Sequence, residues 1–110
     1  MLKGPSANWI EVFPGVHRHR LVATEQSYQM EVRLEQGSEV PLHKHPQEQI
    51  SYVVRGRLRF KIGDEVREVG PGESLVMPGD TLHAVWTLEE ALVIDTFVPL
   101  RVEYLTADGD

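Results

Sequence analysis

The stretch Gly37-Ser-Glu-Val-Pro-Leu-His43-Lys-His45-Pro-Gln-Glu-Gln49-Ile-Ser-Tyr-Val-Val-Arg-Gly56 carries two imidazoles one residue apart and a carboxamide four residues further on. Side chains alternate between the faces of a β-strand, so His43 and His45 are expected on one face, with Gln49 joining them at the same parity across a short bend. Neutral imidazole and carboxamide donors suit borderline divalent metals. A third isolated histidine, His83, follows Gly56 by 27 positions in Thr81-Leu-His-Ala-Val-Trp86. Only sheet pairing can bring it beside the others, so a centre built from these four residues would exist only in the folded chain. Glu48 has the opposite parity to His45 and is read as solvated or hydrogen-bonding.

Working outward, period-2 alternation dominates. Tyr28-Gln-Met30-Glu-Val32-Arg-Leu34-Glu, Arg57-Leu58-Arg-Phe60-Lys-Ile62 and Leu92-Val-Ile94-Asp95-Thr-Phe97 each read as half-buried strands. Turn residues interrupt at short intervals, at Pro14-Gly15, Gly37-Ser38, Arg55-Gly56, Gly63-Asp64, Gly70-Pro-Gly72 and Pro78-Gly-Asp80. No uninterrupted segment of ten residues carries a helical stripe. Many short strands at hairpin spacing predict an all-β sandwich or barrel.

Length and composition bound the rest. A chain of 110 residues is expected to form one domain, large enough for one core but with a high ratio of surface to volume. Apolar types make up 41% and charged residues 25%, too apolar for disorder. Eleven basic against seventeen acidic residues argue against nucleic-acid binding, and no Lys/Arg cluster offsets them. With no long apolar run and no apolar leader in Met1-Leu-Lys-Gly-Pro, the expected location is cytoplasmic, with no membrane partner. Cysteine is absent, so disulfides and thiolate ligands are excluded.

His17-Arg18-His19 is a second His-x-His, but arginines flank it and Ala23 stands where Gln49 stands in the first, so it is read as solvated or as a subunit contact. Asp95 interrupts an apolar strand. Either it faces solvent while residues 92, 94 and 96 face the core, or it points into the interior, where a carboxylate is paired or functional. Arg101 either pairs with Glu103 at the surface or reaches the same mouth, where it would grip a carboxylate bidentately. Ile50, Tyr52 and Val54 lie on the face opposite Gln49 and are candidates for a contact with another subunit.

The run Gly37-x5-His43-x-His45-x3-Gln49-x6-Gly56 resembles the first motif of the cupins, with Gln49 where the commonest form has Glu. Gly72-x5-Pro78-Gly79-x3-His83 is similar to their second motif, with the inner glycine one place early at Gly79 and Thr87 at the usual closing Asn. The resemblance implies a single-domain jelly-roll β-barrel over residues 1–110, with 1–8 and 106–110 as frayed ends, and a homodimer. It also implies one divalent metal ion, nickel, zinc, iron or manganese, held by His43, His45, Gln49 and His83.

Asp95-x-Phe97-x-Pro99-x-Arg101-x-Glu103-Tyr104-Leu105, with Tyr52-Val53 and the early Gly15-Val16-x-Arg18, looks like the pectin-degradation cupins. Those small proteins convert unsaturated monouronates, released by polysaccharide lyases, into open-chain keto acids. Carried over, Asp95 would move the proton that opens the ring, Arg101 would anchor the carboxylate of a small anionic sugar acid, and Phe97 would pack on the sugar. A metal-dependent dioxygenase and a non-catalytic small-molecule-binding cupin are the other two readings.

Overall fold

The alternating runs are antiparallel strands in the computed structural model, which describes residues 1–109. In chain order the elements are β1 (Leu2–Lys3), β2 (Ile10–Phe13), β3 (Val16–Thr24), β4 (Tyr28–Leu34), β5 (Glu39–His43), β6 (Glu48–Ile62), β7 (Glu65–Val69), β8 (Ser74–Met77), β9 (His83–Val98) and a single short helix, α1 (Val102–Asp108). The all-β jelly-roll expectation is borne out.

Strands β6 and β9 form the frame. They pair from Glu48↔Val98 to Ile62↔His83; β4 and β5 pair on β9, β7 and β8 on β6, and β3 extends the sheet beyond β4, carrying β1 and β2. Sixteen extended residues would span roughly 50 Å. The longest dimension of the whole fold is 36 Å, so the ribbon must curl. Curling brings the first residue of β9, His83, back toward its far end, where Phe97 packs: the His45 ring lies 4.9 Å from His83 and 5.5 Å from Phe97.

The bend in β6 is local and glycine-dependent. Register shifts between Val53 and Leu58 reverse the parity of the strand: Gln49, Ser51 and Val53 face inward before them, Leu58 and Phe60 after them. Gly56 sits in this bulge with φ 91°, and a Cβ there would lie 2.2 Å from the Glu90 carbonyl oxygen, so only glycine fits. The core it encloses includes Val16, Met30, Val32, Val53, Leu58, Phe60 and Val93.

The early glycine of the second motif also has a structural reason. A Cβ on Gly79 would lie 2.3 Å from the Pro46 carbonyl oxygen, so this position is where the turn presses on the His45 loop. Asp80, at the place where the motif has its glycine, takes the left-handed conformation (φ 61°) and donates its N–H to the His45 carbonyl at 2.8 Å. Aspartate is one of the few residues that tolerates this backbone.

At the ends, where 1–8 and 106–110 were expected to fray, Leu2 and Lys3 pair with Thr24 and Ala23, and residues 106–108 complete α1; Asp110 lies outside the described residues. The contact that holds α1 is electrostatic. The Asp108 carboxylate accepts from Arg18 at 2.9 Å, Arg20 at 2.9 Å and the Tyr28 hydroxyl at 2.6 Å, with both guanidiniums almost fully buried. Burial, together with donation to Asp108, pushes the Tyr28 phenol well above its ordinary pKa.

His17 and His19 lie on the outer face of β3, because period 2 turns Val16, Arg18 and Arg20 inward; both are half-buried, and His19 bridges Glu31 and the Ser6 carbonyl while stacking on Trp9. Buried ion pairs are costly to break from one side. Asp108→Ala, which removes the counter-charge shared by Arg18 and Arg20, is expected to lower unfolding stability by about 3–5 kcal/mol, measured by urea denaturation against the unmodified chain.

Candidate metal centre

His43, His45 and His83 converge. Their nearest ring nitrogens lie within 4.8 Å of one another, a span that ligand bonds of about 2.0–2.2 Å bridge with small side-chain rotations. His43 and His83 are cross-strand partners on β5 and β9, and their ring centroids are 4.2 Å apart. A bulge between Val40 and His43 re-aims the His43 side chain. His45 differs from the strand expectation: β5 ends at His43, and Pro46 draws the chain into a loop that the Asp80 N–H holds in place.

Hydrogen bonding determines which nitrogens are free. Nδ1 of His43 donates to the Pro41 carbonyl at 2.7 Å, Nδ1 of His45 to the Gln47 carbonyl at 3.0 Å, and Nδ1 of His83 to the Thr81 carbonyl at 2.8 Å. A carbonyl can only accept, so each neutral imidazole keeps its proton on Nδ1 and turns a bare Nε2 lone pair toward the shared point. Nε2 of His83 is buried and has no hydrogen-bond partner among the described residues. Buried acceptors in that state normally have a partner.

Gln49 sharpens the point. Its Oε1 lies 3.1 Å from Nε2 of His45, and with the His45 proton on Nδ1 both atoms are acceptors. Two lone pairs facing each other across that distance are repulsive unless a cation lies between them. The residues therefore fit a divalent ion, with three histidines that could hold it and the Gln49 oxygen directed at the same place.

Charge at the site agrees. Burial lowers the His83 pKa to about 4, against the Thr81 hydrogen bond and with help from the neighbouring imidazoles. Burial also lowers that of His45, aided by Arg101 and His43. Both rings are neutral near pH 7, the form that ligates.

The other three expected residues share the cavity. Asp95, Phe97 and Arg101 line it together with His43, Gln49 and His83. Asp95 faces inward from β9, directly opposite Ser51 on β6, whose hydroxyl donates to it at 2.5 Å. Burial raises the Asp95 carboxyl to about 6, opposed by hydrogen bonds from Ser51 and Gln49 and by the Arg101 charge. Arg101 does both things open to it from sequence: Nε donates to Glu103 at 2.6 Å, while the guanidinium lies 3.9 Å from the Tyr104 ring centre and 5.0 Å from that of Phe97. Phe97 also packs edge-on against Tyr104.

Two cavity residues, Arg18 and Ser51, had no role assigned from sequence. Arg18 reaches the interior with its guanidinium 4.3 Å from the Tyr104 ring centre, so Tyr104 packs against two guanidiniums, those of Arg18 and Arg101. The parity Val16-Arg18-Arg20 was the available signal. Ser51, fully buried between Gln49 and Val53, had the same period-2 signal.

With the histidine cluster on a curled β6–β9 frame in view, the family match settles the classification: the family described as Cupin domain matches residues 30–97. The chain is a cupin. Among solved structures this cupin is similar to KdgF from Halomonas sp., with 33% identity, coverage of 88% of this chain and 90% of that one, and a TM-score of 0.84. An RmlC-like cupin from Shewanella frigidimarina matches at 24% identity over 88% and 87% of the two chains, also with a TM-score of 0.84. The Bacillus subtilis oxalate decarboxylase, whose Mn(II) centres have been studied, matches at 22% identity, 90% of this cupin and 29% of that chain, with a TM-score of 0.76, and shares the fold. Among curated proteins none matches. No helix of the described residues is long and apolar enough to cross a membrane.

The neutral histidine has a thermodynamic consequence for the metal-free protein. Between pH 6.5 and about 4 the unfolded chain protonates His83 while the folded chain does not, so this residue's contribution to stability falls as pH falls. Asp95 acts oppositely, since its folded carboxyl takes up a proton near pH 6 and the unfolded one near 3.8. Comparing chelator-treated wild type with His83→Ala isolates the histidine: from pH 7 to pH 4 their difference in urea-unfolding free energy should move toward the variant by roughly 3 kcal/mol. A difference independent of pH would contradict a neutral buried ring.

Proposed function

We propose that this cupin opens the ring of unsaturated monouronates to give linear keto acids. The observation that carries the reading is the juxtaposition in one cavity of a buried, protonatable carboxyl, Asp95, a guanidinium, Arg101, and two members, His43 and His83, of the three-histidine cluster. The likeness to KdgF, 33% identical over 88% of the chain, accords with the resemblance to the pectin-degradation cupins from which this substrate class is taken.

The conversion consumes neither water nor electrons. A hemiacetal hydroxyl loses its proton, its carbon–ring-oxygen bond breaks, and the enol so formed is protonated on carbon to give the ketone. Asp95, with a carboxyl raised to about 6, can hold that proton at Oδ and return it, which is the requirement for a group that acts as base and then acid near neutral pH. Arg101 binds the substrate carboxylate through the terminal N–H groups of its planar fork, which Glu103 and the Tyr104 ring hold in one orientation. Phe97 supplies an apolar surface for the sugar.

A divalent ion held by His43, His45, Gln49 and His83 would supply undiminished positive charge for polarising a substrate oxygen, because all four ligands are neutral. Asp95→Asn is expected to reduce turnover by about 10²- to 10⁴-fold while metal content is unchanged. The assay is loss of enol-ether absorbance from lyase-generated unsaturated monouronate, under anaerobic conditions with nickel-loaded protein. Turnover that requires oxygen and Fe(II) would instead identify a dioxygenase.

We also infer a homodimer through the outer face of β6. Ile50, Tyr52 and Val54 are each more than two-fifths exposed, and Val76, the cross-strand neighbour of Ile50 on β8, extends the apolar stripe. A second copy of the same face would bury it isologously. Tyr52→Glu is expected to give a monomer in sedimentation velocity with metal stoichiometry unchanged.

A further inference from the structure

The carboxamide of Gln49 has two ends of nearly equal size and opposite character, and only the oxygen end can ligate a cation. In a metal-free site the other orientation looks better locally. Flipped, the amide would donate an N–H to the bare Nε2 of His45, replacing the acceptor–acceptor contact at 3.1 Å with a hydrogen bond. Something must oppose the flip.

The opposing group is on the same strand. Gln49 and Ser51 are two residues apart on the inward face of β6, and Nε2 of Gln49 donates to the Ser51 hydroxyl oxygen at 3.1 Å. That hydroxyl spends its single proton on Oδ1 of Asp95 at 2.5 Å. An ionised carboxylate can only accept, so the direction of the chain is set from the Asp95 end. Asp95 fixes the Ser51 proton, Ser51 then presents only lone pairs to Gln49, and the amide must meet it nitrogen-first. Ser51 is fully buried, and its hydroxyl is the acceptor that Nε2 of Gln49 meets.

We infer that Ser51 is a positioning residue for metal binding: held by Asp95, it locks the Gln49 amide with its oxygen toward His45, His43 and His83 and so makes a carboxamide serve as a ligand. This rests on the metal centre proposed above and deepens it. It also accounts for how a glutamine works at a position where a carboxylate, whose two oxygens are equivalent, would need no such orientation.

The equivalence of carboxylate oxygens supplies the test. Ni(II) dissociation constants are measured by chelator competition for four proteins: wild type, Ser51→Ala, Gln49→Glu, and the double variant. Removal of a group that orients a ligand typically weakens metal binding by about 10- to 100-fold. Ser51→Ala is expected to have that effect when residue 49 is the native glutamine and to change affinity by less than about twofold in the Gln49→Glu background, since a carboxylate has no wrong end. Equal losses in both backgrounds would mean that Ser51 acts through general packing, and no loss in the native background would mean that the amide needs no lock; either result overturns the inference. Failure of the wild type to bind Ni(II) stoichiometrically overturns the metal centre itself, and the positioning role with it.

Discussion

The curl of the β6–β9 ribbon is the constraint on which the rest depends. Two antiparallel strands of 15 and 16 residues are too long to lie straight inside a fold 36 Å in its longest dimension. Their ends are therefore drawn together, and the residues near those ends meet: His83 begins β9, Phe97 is its penultimate residue, and Gln49 is the second residue of β6. The site is thus a product of strand length and closure, with the His45 loop pressed between the two ends by the Gly79–Asp80 turn. An α-helical chain could place such residues in one i, i+4 row; here they come from positions 40 apart and are joined by hydrogen-bonded pairing alone.

Electrostatically the interior is divided into two parts that do not neutralise each other. One end holds three imidazoles whose Nδ1 atoms each donate to a carbonyl, with His45 and His83 kept neutral by burial. Beyond the aromatic group of Phe97 and Tyr104 lies a permanent ion cluster, where Asp108 pairs with both Arg18 and Arg20. Arg101 stands between them over the Tyr104 ring, committed through only one of its nitrogens to Glu103. A ligand that is anionic at one end and rich in oxygen at the other matches that division, and the net charge of −6 carried by the whole chain does not alter the local balance.

Strand identity and the four converging residues were legible in the sequence because both depend on short-range rules. Period 2 identifies the strands around Met30, Phe60 and Val93, and the spacing His43-x-His45-x3-Gln49 is a property of consecutive residues. What was not legible depends on the fold as a whole. Nothing near Thr106 or Asp108 marks them as anchored, because their partners Arg18 and Arg20 lie some 90 positions away and read locally as surface residues. Asp95 stayed ambiguous for a related reason: alternation gives two faces, and which one is interior is decided by closure of the barrel. Likewise, Ser51 looks like any small polar strand residue until Asp95 is placed opposite it.

The parity reversal in β6 separates segments whose length can drift from one whose length cannot. Between Val53 and Leu58 the chain uses its register shifts to change which set of alternate residues faces inward, with Gly56 at the corner. Loss or gain of a single residue there would rotate everything downstream by half a pleat, pointing Arg57, Arg59 and Lys61 into the barrel and Leu58 and Phe60 into water. The Gly63–Asp64 hairpin a few residues later bears no such load, since β7 lies at the margin of the sheet. Among descendants of this chain, insertions and deletions should accumulate at that hairpin while the corner keeps its count.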